Sequence, residues 1–213
     1  VGLAFNQVAL AFKMDVTETI SLGLIIDQPY GSDVVYAGAP AATLLGGTAA
    51  ELNSRAVTAI GRYRFNGNFS ALAGLRAQSM DAAVTLSGLA YGTLSGYNVE
   101  LTEGSGIGWL AGVAYERPAI ALRVALTYFS AVTNTFTRTE TINGVPVALL
   151  PASANPFGVD GRGSLDVVSP QAVNLDFRTG IAADTLLFGQ IRYAWYEDTV
   201  LSPEYFDSVV GVG

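Results

Sequence analysis

The chain has 213 residues, of which 50% are hydrophobic and only 14% are charged, and its formal net charge is −7. Soluble globular domains carry about 25% charged residues, so this chain has unusually few. Disordered chains combine low hydrophobicity with high net charge, so the high hydrophobic content excludes disorder. The negative net charge argues against a nucleic-acid partner. No run of roughly 18 to 20 apolar residues offers a transmembrane helix. A closed β-barrel is the other structure that satisfies its backbone inside a bilayer.

Cysteine and histidine are both absent. Their absence excludes disulfides and thiolate metal sites, and it removes the usual general base and the commonest metal ligand. We therefore expect no cofactor, no metal site and no catalytic residues. On the same ground, a Ser-His-Asp triad cannot be formed by the residues of this chain alone.

Two-residue alternation, the period of a β-strand, recurs about eight times along the chain. Each stretch has about ten residues or more, which suits a tilted membrane-spanning strand, whereas strands of soluble proteins usually have five or six. We therefore predict an all-β fold, an antiparallel transmembrane β-barrel. In chain order the predicted strands are residues 3–14, 20–28, 55–66, 69–86, 107–115, 120–130, 171–182 and 187–195.

Short and long connections alternate between these strands, as they do in outer-membrane barrels. Long connections of residues 29–54, 87–105 and 132–169 contain many Gly, Pro, Ser, Thr and Asn residues. No domain boundary is visible, so we expect residues 1–213 to be part of one barrel domain. The predicted tight turns are residues 15–19, 66–68, 116–119 and 183–185.

Most arginines fall on the face opposite the more apolar stripe of their strands. Two interpretations stay open for this polar face: its charges cross-link the barrel interior, or some of them line a ligand path and bind a carboxylate headgroup bidentately. Arg55 and Asp81 break the alternation, which predicts strand ends or a bulge there. The arginines on the polar face are Arg62, Arg64, Arg76, Arg123, Arg178 and Arg192.

Two further apolar features stand out. Aromatic residues cluster near strand ends, where a membrane barrel carries its interfacial girdles and a soluble sandwich would carry core residues. Two long connections are also less polar than exposed loops usually are, which indicates either a binding surface or loops packed on each other. Their apolar residues are Leu89, Tyr91, Leu94 and Tyr97 in one, and Val145, Val147, Leu149, Leu150 and Phe157 in the other.

The order of several short motifs resembles FadL-type outer-membrane transporters of long-chain fatty acids and other hydrophobic compounds. Each motif is weak alone, but together they follow the family's order along nearly the whole chain. They are Tyr30-Gly31, the segment 62–66 (RYRFN) with the Gly-containing strand 70–76, the segment 106–116 (GIGWLAGVAYE), and the predicted hairpin 169–195, which begins SPQAVNLDF.

The resemblance implies a barrel of about fourteen strands, plugged by an N-terminal hatch, in the outer membrane of a Gram-negative bacterium. This chain, which begins at Val1 without a signal peptide, would then cover about the second to the ninth strand. Outer-membrane lipid and lipopolysaccharide would surround it, and a long-chain fatty acid or another hydrophobic small molecule would be its ligand.

By the same resemblance, the ligand is captured between two long loops, held inside the barrel and released sideways at a kinked strand, which matches residues 20–28. Gly23 is the predicted kink residue. A general diffusion porin, a structural barrel and a soluble β-sandwich are the alternatives. The implied ligand contacts are the loop residues Leu89, Tyr91, Leu94, Tyr97, Val147, Leu149, Leu150 and Phe157, with Arg76, Arg123 and Arg178 for the headgroup.

Overall fold

A computed structural model describes Gly2 and residues 6–211 as one antiparallel sheet of twelve strands. Eight of these strands follow one another along the sheet in the order β1-β2-β4-β5-β6-β7-β11-β12, so the predicted antiparallel barrel architecture is confirmed, although this chain does not close the sheet. Of the predicted first strand, residues 3–5 lie outside the described part of the chain. The eight strands are β1 (Leu10–Asp15), β2 (Ile20–Asp27), β4 (Ala49–Arg64), β5 (Phe69–Leu86), β6 (Tyr97–Arg117), β7 (Leu122–Phe129), β11 (Gln171–Ala182) and β12 (Thr185–Trp195).

Most of the remaining elements lie within the connections that were predicted to be long, whereas one 3-10 helix lies at the predicted tight turn 116–119 and an α-helix follows β12. Short 3-10 helices cover Leu89–Leu94, Pro118–Ile120 and Val147–Leu149, and one α-helix, α1, covers Glu204–Val210. No helix in residues 6–211 has the length and apolar character to cross a membrane. The additional strands are β3 (Gly31–Val35), β8 (Val132–Ile142), β9 (Val145–Pro146) and β10 (Arg162–Ser169).

Three connections predicted as loops therefore contain long stretches of strand. β4 begins at Ala49 rather than residue 55, and β6 begins at Tyr97 rather than residue 107. β8 follows β7 along the chain, and β10 leads into β11. The β8–β10 pairs keep the register of the β7–β11 pairs, so both paired strands extend beyond the ends predicted from the sequence. The composition of these segments is loop-like, but ladder hydrogen bonds from neighbouring strands override that local preference.

The outer face of the sheet carries a continuous apolar belt. On β6 it runs from Ile107 through Trp109 and Val113 to Tyr115, and Val57 and Leu75 extend it onto the neighbouring strands. Eight residue steps of about 3.4 Å, tilted by about 40°, give the belt a height of roughly 21 Å, close to the lipid-facing band of membrane barrels. The exposure of these large side chains therefore suits contact with lipid.

Polarity reverses above the belt, at the end of the sheet that carries the long connections. There the outer face shows Glu51, Arg55 and Glu100, while the inner face of the same strands carries Leu52, Val99 and other apolar residues. Below this level the inner face is polar instead. The sheet therefore extends past the belt as a wall whose inner side packs a hydrophobic core.

That core lies under the folded-over connections. It joins the upper strands to the 3-10 helices Leu89–Leu94 and Val147–Leu149 and to α1, whose Tyr205 is buried against Tyr97 with ring centroids 6.2 Å apart. The connections thus cap the wall rather than project from it. The buried members of the core are Met80, Leu94, Tyr97, Val99, Leu101, Phe136, Val147, Val159 and Tyr205.

Candidate functional site

An apolar cavity of about 340 Å³ opens on the inner face of the wall, between its strands and the segment that follows β12. Its volume falls at the lower end of the range for small-molecule sites. Residues of β4, β5, β6, β8 and β10 line it. On β5 and β8 these are alternate residues, because the strand period places every second side chain on one face. The apolar and aromatic lining is Tyr30, Ala50, Leu52, Met80, Ala82, Val84, Leu101, Phe136, Val167, Val168, Pro170, Tyr196 and Leu201.

Three buried polar side chains form a cluster beside Met80, next to the cavity. The amide nitrogen of Gln78 donates to Asn134 Oδ1 at 2.8 Å and lies 2.9 Å from Ser169 Oγ, and the Asn134 amide donates to the same Oγ at 2.9 Å. Because these groups satisfy one another, their burial carries little desolvation penalty. The cluster separates the apolar cavity from the arginines of the lower inner face.

The strand that borders the cavity on one side is interrupted. β2 and β3 both pair with β4, but residues 28–30 lie between them opposite only two residues of β4, which is a bulge. Ser54 closes the gap, since its hydroxyl donates to the carbonyl oxygen of Tyr30 and accepts from the Tyr30 backbone N–H. The interruption brings Tyr30 to the cavity.

Below the cluster, charged side chains pair across the inner face. Arg76 donates to both carboxylate oxygens of Asp27, at 3.2 and 3.3 Å, and its Nε is buried without a hydrogen-bond partner in the described chain. Glu116 lies between Arg62 at 2.9 Å and Arg123 at 3.0 Å. The cross-linking interpretation of the inner charges therefore holds for these residues.

The predicted loop contacts take different positions. Leu94, Tyr97 and Val147 are buried in the core, and Tyr91 and Leu150 pack against it. Burial and the hydrogen bond to Glu140 raise the pKa of Tyr97, so its hydroxyl stays a donor at neutral pH. None of the eight residues lines the cavity, and their role as ligand contacts stays a prediction. Those that stay exposed are Leu89, Leu149 and Phe157.

The remaining predicted site residues lie lower on the inner face. Arg76, Arg123 and Arg178 line its polar hollows, and Gly23 borders the same region near the β1 edge. β2 pairs with β1 and β4 through Gly23 without a register shift, so no bulge lies at Gly23, and its role as the kink residue stays a prediction. A bulge lies at residues 28–30, where the extra residue relative to β4 is inserted.

Sequence reasoning missed the cavity because most of its lining lies outside the predicted strands, with only Met80, Ala82 and Val84 on the predicted strand 69–86. Leu52, Leu101 and Phe136 each alternate with polar neighbours, and this alternation was the available signal. Within the described residues, no group of three or more acidic side chains is placed to hold a metal ion. Chemically, the cavity can bury an apolar ligand, and the guanidinium groups on the lower inner face can bind an anionic group.

This combination of an apolar outer belt, a tall antiparallel wall and a capped inner cavity defines a transmembrane β-barrel of the outer-membrane type. The particular fold is similar to that of a FadL homologue from Pseudomonas aeruginosa, with a TM-score of 0.67 and 13% sequence identity over 88% of this chain. The matched region is 48% of that structure's chain, so this sequence spans about half of it.

The likeness confirms the FadL-type resemblance at the level of the fold. No protein-family model and no curated protein matches the sequence. At 13% sequence identity, the similarity lies in strand order and packing rather than in most of the individual residues.

Proposed function

We propose that this chain forms part of an outer-membrane transport protein for hydrophobic small molecules, with long-chain fatty acids as the leading ligand class, and that transport rather than catalysis is its role. The observation that carries the proposal is the apolar cavity on the inner face of a FadL-like wall. A structural barrel has no need of such a cavity, and a water-filled porin lumen is polar.

A chain of apolar sites lowers the barrier for a lipid-like solute. Moving one methylene from an apolar site into water costs about 0.8 kcal/mol, so a long acyl chain crosses an aqueous pore only slowly. Passive diffusion between apolar sites avoids that cost without chemical energy. The cavity between the wall and the segment after β12 is one such site.

For a fatty acid, the proposed pose places the acyl chain in the cavity and the carboxylate below the polar cluster. Arg76 is the leading headgroup residue because its buried Nε has no partner, whereas Asp27 already occupies its terminal nitrogen. A guanidinium favours a carboxylate through charge-assisted hydrogen bonds. Arg123 and Arg178, which lie lower on the inner face, are secondary candidates.

Release to the membrane is proposed beside β2. The break at residues 28–30 connects the lining residue Tyr30 with Asp27 and Pro29, which border the lower hollow. This position supports a lateral exit at the break, five to seven residues from the predicted kink at Gly23. In the proposed setting, the outer membrane of a Gram-negative bacterium, the exit faces lipid.

A general diffusion porin is the second candidate, and the polar lower inner face with its Arg62–Glu116–Arg123 network favours it. The two functions differ in what they conduct. A porin passes small hydrophilic solutes at rates that fall as the solute becomes larger, whereas the proposed transporter takes up oleate and discriminates against sugars.

The test is uptake of labelled oleate by a strain that lacks its own fatty-acid importer and expresses the complete gene. Ala82→Phe fills the cavity, and Ala83→Phe on the outer face is the matched control, since Ala82 lines the cavity and Ala83 does not. We expect uptake with the parent and the control and a severalfold loss with Ala82→Phe. Sugar uptake without oleate uptake would establish the porin instead.

A further inference from the structure

A buried carboxylate on β8 holds the N-terminus of α1. Glu140 is 1% exposed, and its two oxygens accept hydrogen bonds from the backbone N–H groups of Tyr205 at 3.2 Å and Phe206 at 3.3 Å. Tyr97 donates its hydroxyl to the same carboxylate at 2.8 Å. Glu140 thus caps a helix that is 65 residues away in sequence, where the first N–H groups of a helix otherwise lack partners.

Arg138 completes this anchor from the same face of β8. Its Nε lies 3.2 Å from Glu140 Oε1, and its Nη2 donates to Glu204 Oε2 at 2.8 Å and to the carbonyl oxygen of Arg162 at 3.0 Å. The ion pair compensates the burial of the Glu140 charge, which would otherwise be costly. Three strands of the wall therefore converge on the first turn of α1.

The segment between β12 and α1, residues 196–203, is the strap. It crosses the side of the cavity, and Tyr196, Thr199 and Leu201 are part of the lining. The hydrogen bonds of the strap in the described structure join Thr199 to Tyr196, Val200 to Asp198, and both Ser202 and Pro203 to Asp207. All four are local, so the strap is held at its two ends and, among the described residues, makes no hydrogen bond to the opposite wall of the cavity.

We propose that Glu140 is a positioning residue for ligand passage: by anchoring α1 it holds the strap as the movable wall of the apolar cavity. The inference rests on the proposed function, because it assigns the strap a ligand to retain. Glu140 touches α1 and not the cavity, so it acts through the strap. Loosening the anchor allows the strap to swing away from Leu52 and Phe136 on the opposite wall.

The test uses the intact protein in phospholipid nanodiscs, with cis-parinaric acid as the fluorescent probe. Glu140→Gln removes the charge with little change in shape, and Glu100→Gln, on the exposed outer face, is the matched control. We expect amide hydrogen exchange in residues 204–207 to become at least about tenfold faster in Glu140→Gln. Dissociation of the probe should accelerate severalfold, and the control should match the parent in both measurements.

Tyr97→Phe provides a second, milder variant, because it removes one hydrogen bond to Glu140 and keeps the buried ring. We expect intermediate exchange and intermediate dissociation, and this variant decides the question if Glu140→Gln does not fold. Faster exchange with unchanged dissociation would overturn the positioning role, as would unchanged exchange. A parent protein that does not bind the probe would overturn the proposed function as well, so the two failures are distinguishable.

Discussion

The carboxylate of Asp81 accepts a hydrogen bond of 3.0 Å from the backbone N–H of Glu103, at the point where β6 contains one extra residue relative to β5. Met80 pairs with Gly104 and Ala82 with Leu101, so Asp81 alone faces Thr102 and Glu103. Glu103 has a φ of 58°, which L-residues rarely adopt. Because of the extra residue, the inward–outward alternation of side chains along β6 shifts by one position at the bulge. Odd-numbered residues therefore point inward above the bulge and outward below it.

This contact gives the first prediction. Asp81→Ala should lower the free energy of unfolding by about 1 kcal/mol, the usual net value of one hydrogen bond, because the bulge loses its side-chain acceptor. Asp81→Asn keeps an acceptor oxygen and should recover most of the loss. Denaturant titration of the refolded protein in lipid vesicles measures both. Equal stability of the alanine and asparagine variants would contradict the role assigned to the contact.

The second prediction concerns close packing at Gly104. A Cβ at this position would lie 2.1 Å from Cε1 of Phe136, so the ring must move. Gly104→Ala should destabilise the protein by about 1 to 3 kcal/mol, the range for overpacking. Adding Phe136→Leu should relieve part of the clash. Gly67→Ala is the control, because no atom lies within 4 Å of its added Cβ.

A third prediction compares two carboxylates. Glu116→Gln leaves Arg62 and Arg123 without their shared partner on the half-buried inner face, and we expect a loss of about 1 to 2 kcal/mol. Asp15→Asn disrupts the exposed Lys13 pair and should change stability much less. The same denaturant titration at low and high salt checks the difference. Similar effects for both variants would show that burial does not matter here.

The fourth prediction locates the lipid boundary. Leu75→Arg places a charge in the middle of the belt and should weaken folding into bilayers by about 2 to 4 kcal/mol. Ser79→Arg, on the same face of β5 but beside Arg55 and Ser105 above the belt, should cost about 1 kcal/mol or less. The folding equilibrium in phospholipid vesicles measures both. A belt that does not contact lipid would tolerate the two arginines equally.

Much of the fold was accessible from sequence because alternation survives wherever one strand face meets lipid. The predicted bounds 69–86 agree with β5, and the predicted irregularity at Asp81 is confirmed by the bulge. Arg55 pairs regularly with Ser79 of β5, but on its other side it lies opposite the bulge of residues 28–30. The irregularity predicted at Arg55 is therefore confirmed as well.

The ligand site was much less accessible. Tyr97 and Val147 are apolar loop residues by composition, yet they are core residues in the structure, while the lining residues Leu52 and Leu101 lie on strand extensions. Composition reports that a segment is apolar but not what covers it. Only the folded arrangement of neighbouring segments decides which apolar side chains stay accessible to a ligand.

Residue pattern alone thus determined the architecture: all-β, antiparallel, with an apolar face suited to lipid, because a period of two is a local property of the chain. Tertiary structure decided the rest. The reversal of polarity above the belt, the one-residue phase change at Glu103 and the capping of α1 by Glu140 each depend on contacts between residues far apart in sequence. Such contacts leave no periodic signal, since each one joins single residues whose separation follows no repeat.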